Sequence, residues 1–263
     1  MTPVAVTRGD GPIILGMPHA GTWLPDDVSS RLNGRGQRLA DTDWHIDRVY
    51  DGLLDDATVV RAQFHRYVID ANRDPVGNSL YPGQNTTGLV PLTDFDGHPI
   101  WALPPHEADV ETRLRQFHKP YHDAMSREIS RVRNLHGYAI LYDCHSIRSS
   151  IPHLFEGRLP DLNIGTNDGR SCDAVIEAIV AERAGHTDRY TTILNGRFKG
   201  GWTTRHYGKP HLRTHGIQME IAQAAYLDKE EAPWTFSEAK VDRLREVLAE
   251  VLSALSHWEP ADA

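Results

Sequence analysis

The 263-residue sequence has little cysteine and no long apolar run, and both absences restrict what the protein can be. Its two cysteines, Cys144 and Cys172, are too few for a disulfide framework, and we interpret them as reduced thiols. No stretch approaches the length of a membrane span, and a proline and early charges make the N-terminal segment unlike a signal peptide. We therefore expect a cytoplasmic protein with no membrane partner.

Basic residues are outnumbered by acidic ones: the sequence has 28 Lys and Arg and 36 Asp and Glu, which gives a net charge of −8. A broad basic face is not expected from this balance, and neither is a nucleic-acid or membrane-surface partner. Because the overall field repels anions, an anionic substrate would need a few focused arginines or a metal ion to hold it.

Several common site motifs are missing as well. The chain contains no GxSxG nucleophile motif, no Walker phosphate-binding loop and no GxGxxG dinucleotide-binding loop. Cys144 beside His145 suggests a thiol nucleophile, but neighbouring residues of a strand point to opposite faces of the sheet. If His145 faces a site, Cys144 faces the packing of the sheet.

Short apolar runs alternate with helical patterns along the chain. The predicted strands are 12–17, 57–64, 66–71, 138–143, 161–167, 190–195 and 215–221. The predicted helices are 24–32, 41–56, 105–137, 171–185 and 237–255, with a kink expected at Pro120. The alternation predicts one α/β domain over residues 1–263, with a largely parallel sheet that helices cover on both faces. Residues 74–104 show no period, which predicts a functional or mobile loop.

Two histidines and an acid near the predicted strand ends form a candidate metal site. His19 follows the first long strand, His145 follows the strand 138–143, and Asp47 lies on the helix between them. Two imidazoles and a carboxylate suit catalytic zinc, which keeps one position for water. Asp43 and His45 are alternatives to Asp47, and no short spacing motif links these residues. Each residue alone is more often structural or solvated.

A second cluster surrounds the predicted strand 66–71. Arg66 begins this run, and Asn72 and Arg73 follow it, so two guanidinium groups and an amide are directed at one region. Arginine binds carboxylates in a bidentate manner, which would suit an anionic substrate. The alternative is a salt-bridged loop in which Asp70 and Asp74 are the partners.

The segment 195–210 combines paired glycines with two threonines and Arg205. Glycines allow the backbone to approach a ligand closely or to move, so this segment is a candidate ligand-closing loop. A plain hairpin is the alternative.

Glu220 interrupts an apolar predicted strand, where a carboxylate is costly to bury without a partner. One interpretation is an ion pair with an arginine in the core. The other is a general base beside a water activated by a metal ion.

Six motifs together resemble the N-formylglutamate amidohydrolases, also called N-formylglutamate deformylases. They are MPHAGTWLP, TDWHIDRVYD, RYVIDANRDP, DCHS, NGRFKGGWTTRHYG and IQMEIAQAAYLD, in this order along the chain. The resemblance extends from about residue 12 to residue 228, and its most specific parts are the arginine-rich third motif and the glycine-rich fifth.

The resemblance implies a zinc-carboxypeptidase-like and aspartoacylase-like fold, a single three-layer α/β/α domain with a mixed sheet and one zinc ion. It implies cleavage of N-formyl-L-glutamate, a small anionic substrate, to formate and L-glutamate, the last step of one histidine degradation route. Cobalt, manganese or iron could replace zinc in such a ligand set. The alternatives are an amidohydrolase of another N-acyl amino acid and a non-catalytic dicarboxylate-binding protein.

The resemblance also implies roles for individual residues. The zinc ligands would be His19, Asp47 and His145, and Asp143 would either orient His145 or form a turn. Asn72 and Arg73 would bind one substrate carboxylate and Arg205 a second, and Gly201 and Thr203 would also bind the substrate. Arg66 would polarise the scissile carbonyl, and Glu220 would be the general base.

Overall fold

Seven strands form one mixed sheet in the computed structural model, which describes residues 2–79 and 83–261. The strands are β1 (Val4–Thr7), β2 (Ile13–Met17), β3 (Thr58–Ala62), β4 (Ala139–Ile147), β5 (Leu162–Gly165), β6 (Thr192–Leu194) and β7 (Thr214–Ala222). Their order across the sheet is β1-β3-β2-β4-β7-β5-β6. Pairs β3-β2, β2-β4, β4-β7 and β5-β6 are parallel, whereas β1-β3 and β5-β7 are antiparallel. The prediction of a mixed, largely parallel sheet is confirmed.

Helices cover both faces of this sheet. They are α1 (Asp26–Ser29), α2 (Ile46–Tyr50), α3 (Glu107–Arg113), α4 (Lys119–His136), α5 (Ala174–Ala184), α6 (Trp202–Tyr207) and α7 (Glu238–Ser256). Met125 of α4 belongs to the same buried cluster as Ile14 and Leu141, whereas Tyr142 belongs to the cluster that contains the buried side chains of α5 and α7. Successive strand residues therefore enter opposite cores, which produces the three-layer α/β/α arrangement.

The long helical pattern 105–137 is interrupted, as expected, but before Pro120 and not at it. A π-helical turn, Leu114–His118, joins α3 to α4, and Pro120 lies in the first turn of α4. Proline has no N–H and cannot donate in the helical ladder, and the turn before it contains a π-type hydrogen bond from the Lys119 N–H to the Leu114 carbonyl. Gly137 ends α4 in the left-handed region with a φ of 78°.

Two predicted elements near the site differ from the structure in type or length. The run 66–71 is a fully buried turn segment and not a strand, with hydrogen bonds from Val68 N to His65 O and from Arg73 N to Asp70 O. The predicted helix 41–56 shrinks to α2, because His45 adopts a left-handed backbone with a φ of 59° immediately before it.

The segment 74–104 has no helix or strand among its described residues, 74–79 and 83–104, apart from isolated bridges. The predicted loop is thus confirmed for those residues, while 80–82 lie outside the described part of the chain. None of the helices in residues 2–79 and 83–261 is long and apolar enough to cross a membrane.

Candidate active site

The parallel pairing of β4 with β7 places two candidate residues side by side. His145 and Glu220 are directly paired across these strands. Paired residues of parallel strands project from the same face of a sheet, so both side chains lie on one face. They line a cavity of about 320 Å³ near the carboxyl ends of the two strands, the edge at which α/β sheets bind ligands.

His19, Asp43 and His145 form a buried group with the composition of a metal site. One ligand atom from each residue lies within 4.8 Å of the others, and the three residues are only 2–3% exposed. Nδ1 of His145 is 3.2 Å from Oδ2 of Asp43, and Nδ1 of His19 is 3.7 Å from the same oxygen. Two imidazoles and one carboxylate leave coordination positions open for water or substrate, as in catalytic zinc sites.

The outer nitrogens of both imidazoles face further carboxylates. Nε2 of His19 is 2.7 Å from Oδ1 of Asp70, and Nε2 of His145 is 3.2 Å from Oδ1 of Asp143. Metal-binding histidines commonly direct one ring nitrogen to the ion and the other to a carboxylate, which fixes the ring orientation. The residues present therefore fit a divalent metal ion, and the Asp143 carboxylate lies within ion-pairing distance of His145.

Electrostatics favour positive charge at the centre of this group. Burial alone would lower the pKa of His145, but Asp143 and Asp43 hold that pKa well above its usual value. Burial would likewise raise the pKa of Asp43, yet hydrogen bonds with His145 and His19 hold it below its usual range. This group of carboxylates can be neutralised either by a proton on an imidazole or by a metal cation.

The structure does not bring Asp47 into this group, and Asp43 stands in its place. The Asp47 carboxylate pairs with Arg61 and is about one-third exposed. His45 also points elsewhere, since its Nε2 is 2.9 Å from the carbonyl oxygen of Trp234. The left-handed backbone at His45 separates Asp43 from α2, and this turn directs Asp43 inward while Asp47 remains on the outside.

Arg66, Asn72 and Arg73 all line the cavity, as the sequence analysis expected. Arg66 is buried, and its Nη2 donates to Oδ2 of Asp70 at 3.0 Å. The Asn72 amide nitrogen lies 3.1 Å from Nε2 of His145. Arg73 donates to the carbonyl and hydroxyl oxygens of Thr87, both at 2.9 Å. Asp70 is thus a salt-bridge partner, and the arginines also face the cavity.

Two histidines that the sequence analysis did not single out support this segment from behind. His118 donates to the carbonyl of Arg73 at 3.0 Å, and His122 donates to the carbonyl of Ala71 at 2.8 Å. Burial lowers the pKa of both, to about 3 for His122, so they bind as neutral donors. Their four-residue spacing places them on one face of the helix, where they fix the carbonyls on either side of Asn72.

The glycine-rich segment forms a helix start and not a hairpin. The N–H of Gly201 donates to Oε1 of Gln218 at 2.6 Å, and the N–H of Thr203 donates to Oδ1 of Asn72 at 2.8 Å. A Cβ at Gly201 would lie 2.2 Å from Nδ2 of Asn72, so glycine is required for this approach. Gly201 lines the cavity, while the buried Thr203 holds Asn72 through its backbone.

Arg205 lies on α6, where its Nε donates to the carbonyl of Gly200 at 2.8 Å, and it is not among the described residues that line the cavity. Arg197, from the same glycine-rich segment, does line it. Among the described residues, the cavity wall therefore contains Arg197 and not Arg205, the arginine that the sequence analysis expected on a second carboxylate.

Glu220 is 7% exposed and accepts a hydrogen bond from Nε2 of Gln218 at 3.0 Å. Burial raises the pKa of this carboxyl to about 8, although His145 and Arg66 oppose the shift. A carboxyl group with a pKa near neutrality can both accept and return a proton, which is the property of a general acid–base residue.

The sequence and the fold are similar to those of one family of known proteins. A family model described as N-formylglutamate amidohydrolase matches residues 11–227. An N-formylglutamate deformylase of Pseudomonas putida is 45% identical over 258 residues, covering 95% of this chain and 94% of the relative. One of Pseudomonas aeruginosa is 42% identical over 254 residues, covering 95% of each chain. The crystal structure of N-formylglutamate amidohydrolase from Ralstonia eutropha matches with a TM-score of 0.81 at 23% identity, covering 97% of each chain, and this likeness concerns the fold.

Proposed function

Because the chain belongs to the N-formylglutamate amidohydrolase family, we propose that it hydrolyses N-formyl-L-glutamate to formate and L-glutamate. The observation that supports this most is the convergence of His19, Asp43 and His145 in one cavity with Glu220. The assignment to the last step of a histidine degradation route rests on the family resemblance alone.

We propose that His19, Asp43 and His145 hold one divalent ion, with zinc as the first candidate and cobalt, manganese or iron as alternatives. When bound, the ion would supply Lewis acidity and lower the pKa of a water molecule toward neutrality. Its positive charge would also favour the ionised form of Glu220, opposing the effect of burial on that pKa.

The residues of the chain divide the remaining work. Glu220 accepts a proton from the attacking water and then delivers it to the leaving amine nitrogen of glutamate. The Arg66 guanidinium donates hydrogen bonds to the oxygen of the formyl carbonyl as negative charge develops on it. Asn72 and Arg73 bind a substrate carboxylate, which orients the formyl group toward Glu220.

Metal analysis combined with a substrate panel tests this proposal. We expect about one divalent ion per chain, and formate release from N-formyl-L-glutamate that is faster than release of acetate from N-acetyl-L-glutamate. Chelation should abolish turnover, and added metal should restore it, because the ion is needed for the chemistry. Formate, acetate and free amino acid are measured by coupled assay or chromatography, which shows which acyl group the protein removes.

Faster hydrolysis of a larger acyl group would instead support an amidohydrolase of another N-acyl amino acid. Binding of L-glutamate without turnover of any substrate in the panel would support a dicarboxylate-binding protein. A fully active, metal-free preparation would contradict the metal assignment.

Replacement of Cys144 is expected to leave turnover within about twofold of the wild-type value, with a stability cost of about 1 kcal/mol. The thiol is fully buried on the opposite face from His145, beside Tyr142, and burial raises its pKa well above the usual value. Such a thiol is a poor nucleophile. Cys144→Ala and the matched Cys172→Ala should therefore behave alike in formate release and thermal unfolding. Selective loss of activity in Cys144→Ala with metal still bound would restore the thiol mechanism.

A further inference from the structure

A guanidinium group other than those of Arg66 and Arg73 lines the cavity, and it belongs to Arg197. Arg197 lies between β6 and α6. Its Nη2 donates to the carbonyl oxygens of Asn85 and Leu154, both at 3.3 Å. These two acceptors are neutral carbonyl oxygens, and a carboxylate is a stronger acceptor for a guanidinium group than a carbonyl oxygen is.

The surface next to Arg197 is apolar. Leu154, Phe198 and Ile147 line the same cavity, and the Phe198 ring centroid is 5.4 Å from the guanidinium carbon of Arg197. A ligand that passes this surface and ends at Arg197 would bury methylene groups first and then place an anion on the guanidinium. That sequence of environments matches the side chain of glutamate, with its methylenes and terminal carboxylate.

Arg197 and Arg73 are held to the same short stretch of chain. Arg73 donates to Thr87, and Arg197 donates to the carbonyl of Asn85, two residues earlier. Two residues of extended chain span at most about 7 Å. The acceptors that hold the two guanidinium groups therefore lie close together at the wall of one cavity, as binding of both carboxylates of one glutamate requires.

We propose that Arg197 binds the side-chain carboxylate of the substrate and selects acidic N-formyl amino acids over neutral ones. This inference rests on the proposed hydrolysis of N-formyl amino acids and assigns to Arg197 the part expected of Arg205. A neutral side chain cannot form the bidentate charge-assisted hydrogen bonds that a carboxylate forms with a guanidinium group, and sites built for a charged group discriminate strongly against ligands that lack it.

Comparison of Arg197→Gln with Arg205→Gln on two substrates tests the assignment. For Arg197→Gln, we expect kcat/KM for N-formyl-L-glutamate to fall about 100-fold, mostly through KM, because a charge-assisted bond to the substrate is lost. The value for N-formyl-L-glutamine should change by less than about threefold, since that substrate offers no charge to Arg197. The ratio of kcat/KM for N-formyl-L-glutamate to kcat/KM for N-formyl-L-glutamine should thus fall sharply in Arg197→Gln and stay near the wild-type ratio in Arg205→Gln.

An unchanged ratio in Arg197→Gln, or a collapse confined to Arg205→Gln, would overturn the assignment. Should Arg197→Gln fail to fold, Arg197→Lys keeps a positive charge without the bidentate geometry and should lower the ratio by an intermediate amount. Should the wild-type protein release no formate, the proposed function fails separately. Calorimetry of L-glutamate against L-glutamine binding, in wild type and Arg197→Gln, then tests the role of Arg197 by itself.

Discussion

Replacement of Glu220 by glutamine is expected to lower kcat by a factor on the order of 10²–10⁴, the range found when a general acid–base residue is removed. Glutamine has nearly the same shape and can still accept the hydrogen bond that Gln218 donates at 3.0 Å. It cannot accept a proton from water at neutral pH. Metal content and the KM for N-formyl-L-glutamate should therefore change little, because the lost interaction belongs to the transition state.

Steady-state kinetics with metal analysis on the same preparations provide the measurement for Glu220→Gln. Glu246→Gln is a suitable control, since that carboxylate is 61% exposed and pairs with Arg189 on the surface. The control should retain wild-type kcat. Turnover within about threefold of wild type in Glu220→Gln would remove this residue from proton transfer, and a loss of metal would assign it to the metal site instead.

Replacement of Asp43 by asparagine is expected to remove most of the bound metal and, with it, the activity. Asparagine keeps an oxygen that can accept the 3.1 Å hydrogen bond from the Ser146 N–H, so the local fold should persist. The negative charge is lost, and two imidazoles alone hold a divalent ion weakly. The fall in metal affinity should exceed the roughly 10–100-fold that loss of an outer partner costs.

Asp47→Asn is the matched control, because it makes the same chemical change four residues away. Its carboxylate takes part in a partly exposed ion pair with Arg61, and such pairs contribute about 0–1 kcal/mol. Metal stoichiometry by elemental analysis and formate release should stay at wild-type levels in this variant. Equal metal content in Asp43→Asn and wild type, or metal loss in Asp47→Asn, would return the ligand role to Asp47.

The two histidines could be placed together from the sequence, but the choice between Asp43 and Asp47 could not be made from it. Parallel strands direct their carboxyl ends to one edge, so His19 and His145 could be expected there from the strand pattern alone. Asp43 and Asp47 are four residues apart, and a continuous helix over 41–56 would place both on the same face. The left-handed backbone of His45, with a φ of 59°, separates them. Such a conformation is uncommon for a residue other than glycine, and no local sequence pattern predicts it.

The segment 66–71 shows a second limit of sequence reasoning. A buried strand and a buried turn can have the same apolar composition, so the run RYVIDA does not distinguish them. In the structure the decisive groups are polar. Arg66 and Asp70 bind each other, and both contact His19. These contacts stabilise the turn, and the segment forms no sheet pairing.

The choice between Arg197 and Arg205 depends on α6, a helix of six residues. A helix this short has less than two turns, so it produces no usable periodicity in the sequence. Once it forms at Gly201, Arg205 is carried away from the cavity, whereas Arg197 precedes the helix and remains at the cavity wall.

The pairing of β4 with β7 carries a further consequence. Glu220 and His145, which transfer the proton and bind the metal ion in our proposal, stand on adjacent central strands that are paired over nine residues. The arginines that contact the substrate carboxylates in our proposal lie outside the sheet, on segments that follow turns or precede a short helix. Substitutions in these peripheral segments can therefore diversify substrate preference during evolution or engineering, while the geometry of bond cleavage is conserved by the backbone hydrogen bonds between the two strands.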